Sequence, residues 1–187
     1  MAKQRGDGDL TPLEACRLLV RMTPTDLRPP AAPDEASILA LNEGSVRETS
    51  PLDSAGLRAL LGTCFRARVH ETSQEIDAFM IALDETARSP SPNFAWFRRR
   101  HARFVYVDRV VVAERARGRG LARALYADAR LAAERAGHGL ICCEVNVDPP
   151  NPASDVLHER LGFEEVGRAI LGPQKTVRYM VKRLGSP

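Results

Sequence analysis

Three arginines and two glycines occupy the stretch Arg115-Ala116-Arg117-Gly118-Arg119-Gly120-Leu121-Ala122, and Arg123 follows at once. Gly118 and Gly120 remove Cβ atoms where the chain must turn sharply, so phosphate oxygens can approach the backbone N–H groups. The arginines add charge useful against a diphosphate. Because the stretch lies between a strand and a helix, the free N–H groups and the positive end of the helix dipole face the same anion. Two other glycine loops are excluded by spacing. A Walker loop needs Gly-Lys-Ser/Thr, and a dinucleotide fingerprint needs a third glycine where Arg123 stands. Taken alone, the stretch also reads as a plain strand-to-helix turn with solvated arginines.

Proton transfer has its own candidates. Asp108 interrupts the apolar run Phe104 to Val112, where an ionised carboxylate is costly unless partnered or functional. An ion pair with a nearby arginine accounts for it as well. Glu144 is the second choice and Glu48 a distant third. His158 can give or take a proton near neutral pH. At helical spacing it shares a polar stripe with Asn151 and Ser154, beside a core stripe of Ala153, Leu157 and Leu161. A purely positional histidine fits the same pattern. Cys142 and Cys143 have no activating partner in the sequence and read as buried thiols. Without a C-x-x-C pair, no zinc or redox site is expected, and no metal of any kind is called for.

These residues need elements to position them. Phe104 to Val112 is the clearest strand, apolar on both faces and therefore central in a sheet. From Leu121 a helix runs to about Ala136 on the stripe Leu121, Leu125, Ala129, Ala132 and Ala136. Leu140 to Val147 returns as a strand, and the crossover implies parallel pairing with the first. Asn151 caps a short helix with Pro152 at its first position, and Gly162 ends it. Strands at Phe163 to Ala169 and Val177 to Leu184 close the chain. Upstream, Cys16 to Met22 is apolar enough for a first strand, followed by a turn at Thr23 to Asp26. Asp34 and Asp53 cap two helices, and Phe65 to Val69 pairs with Ile76 to Leu83 as a hairpin. Residues 85 to 101 read as a long loop whose aromatics Phe94, Trp96 and Phe97 wall a pocket or fold into the core. The fold class is α/β, with a mixed sheet of about six to seven strands and helices on both faces.

Composition is that of a globular domain: 187 residues, 44% hydrophobic and 27% charged, with a net charge of +3. One domain over residues 34–187 follows an arm at 1–33. No apolar run is long enough to span a bilayer, and the first residues lack the apolar core of a signal peptide, so the expected location is cytoplasmic, with no membrane partner. The basic run Arg98-Arg99-Arg100-His101-Ala102-Arg103 is short and lacks interleaved aromatics, which argues against nucleic acid as a partner.

The spacing of Arg115, Gly118 and Gly120 as R-x-x-G-x-G, after the strand Val107 to Val112, resembles the acetyl-CoA motif of the GNAT N-acetyltransferase superfamily. Asn151-Pro152-Ala153-Ser154 followed by Leu161-Gly162-Phe163 resembles its C-terminal N-x-A-S…L-G-F segment. Further stretches, Cys143 to Pro150 and Lys175 to Tyr179, are similar to a little-characterised bacterial branch of that superfamily. The resemblance implies a GNAT-like fold, acetyl-CoA as co-substrate, and acetyl transfer to a primary amine of a small molecule or peptide. It assigns main-chain contacts with the pantetheine arm to Val110, Val111 and Val112, with an oxyanion-stabilising N–H near Val112. The pyrophosphate falls to the turn from Arg115 and Arg117 through Gly118, Arg119, Gly120, Leu121 and Ala122. Asn151 and Ser154 belong to the cofactor's other contact surface. His158 stands where the family often has a tyrosine that serves the departing thiolate. Tyr106-Val107-Asp108-Arg109-Val110-Val111 resembles a Y-I-E-D-I-V that carries the base in some relatives, which makes Asp108 the corresponding candidate. A homodimer is a further implication. A CoA-binding sensor without transferase activity is the alternative, on account of His158.

Overall fold

The structure is a computed structural model that describes residues 27–72 and 75–185. The strand at Cys16 to Met22 and the turn at Thr23 to Asp26 lie outside the described residues. Seven strands form one sheet: β1 (Leu27–Arg28), β2 (Arg66–Thr72), β3 (Glu75–Asp84), β4 (Val105–Val112), β5 (Leu140–Asp148), β6 (Glu164–Gly172) and β7 (Lys175–Arg183). Their order is β1-β2-β3-β4-β5-β7-β6, which puts β4 at the centre. All pairs are antiparallel except β4 with β5. That pair is the one joined by a helical crossover, α4 (Leu121–Arg135), as the chain's β-α-β pattern requires.

Helices cover both faces. On one lie α1 (Glu35–Glu43), α2 (Ser54–Thr63) and α3 (Pro92–Arg98), packed on Phe79, Ile81, Val111, Tyr106 and Tyr179. On the other lie α4 and α5 (Pro152–Leu161), packed on Met80, Val105, Val107, Cys143 and Val145. Alternate residues of β4 and β5 therefore enter opposite cores, which is why both strands read as continuous apolar runs.

Local signals set the helix ends. Asp53 accepts the Gly56 N–H at 2.7 Å to start α2. Asn151 accepts from Ser154 N at 3.1 Å to start α5, with Pro152 in the first turn and Gly162 ending it at φ 75°. Asp34 precedes α1 but makes no side-chain cap. Its carboxylate instead accepts the Ala31 N–H at 2.7 Å and pairs with Arg28.

Three expectations need correction. Residues 85 to 101 contain a helix, α3, which Ser91 caps by accepting from Phe94 N at 3.3 Å. Its Phe94 and Phe97 are fully buried, so they fill the core and wall no open pocket. On α4 the inward stripe drifts to Leu121, Leu125, Ala129 and Ala133, leaving Ala136 exposed, because a straight helix advances 100° per residue. On α5 the supposed core residue Ala153 is exposed, and His158 is the residue most deeply buried.

Candidate active site

β4 and β5 pair only at Val105↔Ile141 and Tyr106↔Cys142. Beyond those positions their outer neighbours continue: β3 stays registered with β4 as far as Val112, and β7 with β5 as far as Asp148. The facing edges therefore diverge and leave a wedge-shaped gap in the middle of the sheet. A strand edge without a partner presents N–H and C=O groups, so an extended amide-bearing chain can lie along it. Val110, Val111 and Val112 form the β4 side of this gap, with Val111 buried in the core of the α1–α2 face.

The glycine turn closes the wide end. After β4, a single 3-10 turn (Glu114–Ala116) leads to Gly118 at φ 77° and Gly120 at φ 81°, and α4 begins at Leu121. A Cβ built on either glycine would meet nothing within 4 Å. The space over the turn is open, and the glycines are required by their left-handed backbone. The turn therefore fits a diphosphate on its own geometry. Arg117 and Arg123 are exposed and make no ion pair among the described residues. Arg115 and Arg119 turn the other way. Arg115 Nη2 lies 3.2 Å and Arg119 Nη1 3.4 Å from the buried carboxylate of Asp77 on β3.

At the narrow end, on the α1–α3 face, two carboxylates converge. Ile81 pairs with Arg109 and Ala82 with Val107, so Asp108 is an extra residue, a β-bulge in β4. The bulge turns Asp108 and Arg109 the same way, and Arg109 Nε donates to Asp108 Oδ2 at 2.8 Å. Arg109 also donates to Asn42 Oδ1 at 2.7 Å and Ser50 Oγ at 3.3 Å, which ties the loop after α1 to β4. Asn146 Nδ2 and Lys175 Nζ hold the same loop by donating to the carbonyls of Arg47 and Thr49. Glu144 on β5 accepts from Tyr106 Oη at 2.7 Å and from Asn93 Nδ2 at 2.8 Å, and Asn93 accepts from Tyr179 Oη at 3.0 Å. Burial pushes the Glu144 carboxyl up to about 7; the Asp108 charge adds to the rise, and the two hydrogen bonds oppose it. Glu48 belongs to the loop after α1, and among the described residues no side-chain hydrogen bond or ion pair joins it to this network.

On the opposite face, His158 is 2% exposed and fully engaged. Its Nδ1 lies 2.7 Å from the Ser154 carbonyl, which can only accept, so Nδ1 carries the proton. Nε2 then accepts from Tyr126 Oη at 2.8 Å. Tyr126 and His158 pack edge to face, each against Phe163. Burial holds the His158 ring below the usual imidazole range. It pushes the Cys142 and Cys143 thiols up, away from the nucleophilic thiolate form. Asn151 and Ser154 are taken up in capping α5 and in orienting His158.

Asp108 lies on β4, His158 on α5 and the glycine turn between β4 and α4, as their spacing predicts, whereas nothing in the spacing points to Tyr126, Tyr106 or Asn93. In the sequence Tyr126 is only an aromatic beside the α4 stripe, and Asn93 falls in a segment whose prolines and serines spell a loop. Among the described residues, no cluster of His, Cys, Asp and Glu could hold a metal ion, and no helix is long and apolar enough to cross a membrane.

Residues 75–165 match the family model described as the acetyltransferase (GNAT) domain. A search of curated proteins finds no match for the chain. Solved structures share the fold. The ribosomal-protein-S18-alanine N-acetyltransferase of Escherichia coli superposes with a TM-score of 0.64 at 16% identity, over 86% of this chain and 94% of that one. The ribosomal-protein-alanine N-acetyltransferase of Brucella melitensis gives 0.64 at 23% identity, over 84% and 99%. The putative acetyltransferase yncA of Salmonella typhimurium, solved with acetyl-CoA, gives 0.64 at 20% identity, over 86% and 94%.

Proposed function

The chain belongs to the GNAT acetyltransferases, and we propose that it moves an acetyl group from acetyl-CoA to a primary amine by direct transfer in a ternary complex. The observation that carries this reading is the wedge between β4 and β5, which opens beneath the glycine turn and has Glu144 at its narrow end. Acetyl-CoA supplies the activated acyl group. The turn from Arg117 to Ala122 takes its diphosphate, and the free β4 edge at Val110 to Val112 takes the amides of its arm. An N–H of that edge, near Val112, stabilises the oxyanion as the amine attacks.

An ammonium acceptor must lose a proton before it can attack. Glu144 is the better placed carboxylate for this, directly or through a water, because its affinity for a proton is matched to neutral pH. Asp108, locked to Arg109, holds a fixed negative charge beside it and draws the cationic acceptor in. On the far side, the neutral His158 ring and the Tyr126 hydroxyl form the polar wall that meets the departing sulfur. No covalent enzyme intermediate is needed. Two of the similar structures are ribosomal-protein-alanine N-acetyltransferases, so a peptide α-amine stands beside small amines as the acceptor class.

The test is calorimetric titration with acetyl-CoA, followed by a panel of small amines and peptide N-termini assayed for free CoA and acetylated product. Binding with turnover is expected. Tight binding with no turnover across the panel would favour a CoA sensor instead.

A further inference from the structure

Asp77 lies on β3, away from both the wedge and the carboxylates, and is 1% exposed. A buried carboxylate is costly unless charged or polar partners surround it. Its partners here come from the glycine turn. Arg115 and Arg119, on either side of Gly118, reach it at 3.2 and 3.4 Å. Arg115 Nη2 also donates to the Ile76 carbonyl at 3.1 Å, and the Asp77 carbonyl accepts the Ala113 N–H at 2.7 Å. Thr72 Oγ1 donates to the same carboxylate, and His70 Nδ1 sits 3.6 Å away with no hydrogen-bond partner among the described residues.

We propose that Asp77 is the positioning residue of the diphosphate turn: it holds Arg115 and Arg119 from beneath, so that the turn meets its ligand with a preset backbone. This rests on the reading that the turn binds the diphosphate of acetyl-CoA. Two flexible residues, Gly118 and Gly120, would otherwise have to be ordered when the ligand arrives, and that ordering opposes binding. Engaging two side chains that flank Gly118, plus the main chain at Ala113, removes most of that freedom beforehand. The same contacts divide the arginines by task. Arg115, which also pairs with Glu75 at 3.0 Å, and Arg119 are half-exposed but engaged by carboxylates, whereas Arg117 and Arg123 make no ion pair among the described residues.

The decisive measurement is calorimetric binding of CoA and of two fragments, adenosine 3′-phosphate 5′-diphosphate and pantetheine, to the wild type and Asp77→Asn. The substitution should weaken CoA and the diphosphate fragment by the same factor, on the order of tenfold. Transfer from S-acetylpantetheine, which lacks the diphosphate, should keep its kcat/KM. Thr72→Val, at an exposed site and therefore harmless to the fold, should produce a smaller loss of the same kind. Equal losses for donors with and without the diphosphate, or unchanged CoA affinity in both variants, would overturn the positioning role. A wild type that binds no CoA would overturn the reading of the turn itself.

Discussion

The Tyr106 hydroxyl on β4 donates to the Glu144 carboxylate on β5 at 2.7 Å, two residues past the last point where these strands pair. This bond spans the start of the wedge, and with Asn93 it satisfies both carboxylate oxygens. Glu144 is therefore fixed in direction while its charge remains costly, a combination that suits a base working near neutral pH.

Glu144 carries the first pH prediction. A base must be unprotonated, so the rate should rise through about pH 7 and level off above it. Glu144→Gln should lower kcat by about 10²-fold or more, in the range of lost general-base catalysis, with little change in acetyl-CoA affinity. Stability should move oppositely. The folded carboxyl binds its proton more tightly than the unfolded one, so its contribution is full below the unfolded value near 4.5 and is lost as pH rises through about 7. Glu144→Gln should accordingly be more stable than the wild type at pH 8, and thermal melts at pH 5 and 8 would show it.

Asp108 and Arg109 make a contrasting case. Their pair is almost wholly buried, with side chains 8% and 6% exposed, and Arg109 also holds Asn42 and Ser50. Arg109→Met should destabilise the fold by about 3 kcal/mol, because it leaves Asp108 charged and unpartnered. Asp108→Asn should raise KM for a cationic acceptor and shift the midpoint of the pH–rate profile to lower pH, since a neighbouring charge that opposes ionisation of Glu144 is gone. A loss of kcat as large as that of Glu144→Gln, with no shift in the profile, would instead make Asp108 the base.

His158 is predicted to matter through its neutral form. Burial lowers its proton affinity, so the stability it contributes is present above the unfolded value near 6.5 and falls away as pH drops through the lower folded value. The wild type should lose melting temperature between pH 6.5 and 5 more steeply than His158→Asn. Tyr126→Phe should retain the fold, because Phe163 and His158 still pack on the ring. It should slow transfer by about tenfold if the hydroxyl aids the departing sulfur. Unchanged turnover in Tyr126→Phe would assign the hydroxyl to packing alone.

Much of this is legible in the amino-acid sequence. The Pro152 and Gly162 signals bounded α5, the crossover after Gly120 implied a parallel β4–β5 pair, and the two glycines marked the turn, because each rests on local backbone rules. The rest depends on neighbours distant in sequence. Asp108 looks like any charge in an apolar strand until the register shift opposite Ile81 and Ala82 shows it to be a bulge. Likewise Asp77 is one of many acidic residues on a hairpin, and only the tertiary approach of Arg115 and Arg119 singles it out. Periodicity puts His158 on a polar stripe because it counts residues only as polar or apolar. It cannot anticipate that Tyr126, 32 positions earlier, supplies the partner that permits burial.

The two thiols carry a negative prediction. Cys142 is 0% and Cys143 3% exposed, and burial disfavours the thiolate of both. Brief iodoacetamide treatment of the folded protein at pH 8 should leave them unmodified, whereas half-buried Cys64 reacts first among the described cysteines. Mass spectrometry of an acid-quenched reaction should find no acetyl group on Cys142 or Cys143. An acetylated thiol there would replace direct transfer with a two-step scheme.

The glycine turn permits a test that separates strain from occlusion. Gly118, Gly120 and Gly137 share nearly the same left-handed φ, 77°, 81° and 76°, so alanine at each should cost a similar amount of stability, about 1 kcal/mol. They differ in surroundings. A Cβ at Gly118 or Gly120 points into open space above the turn, whereas one at Gly137 points towards Arg103, at the far end of α4. If the open space is where the diphosphate sits, Gly118→Ala and Gly120→Ala should each weaken CoA binding by more than tenfold, while Gly137→Ala leaves it unchanged. Equal CoA affinity in all three variants would mean that the turn accommodates strain without touching the ligand, and the diphosphate would have to be sought elsewhere along the wedge.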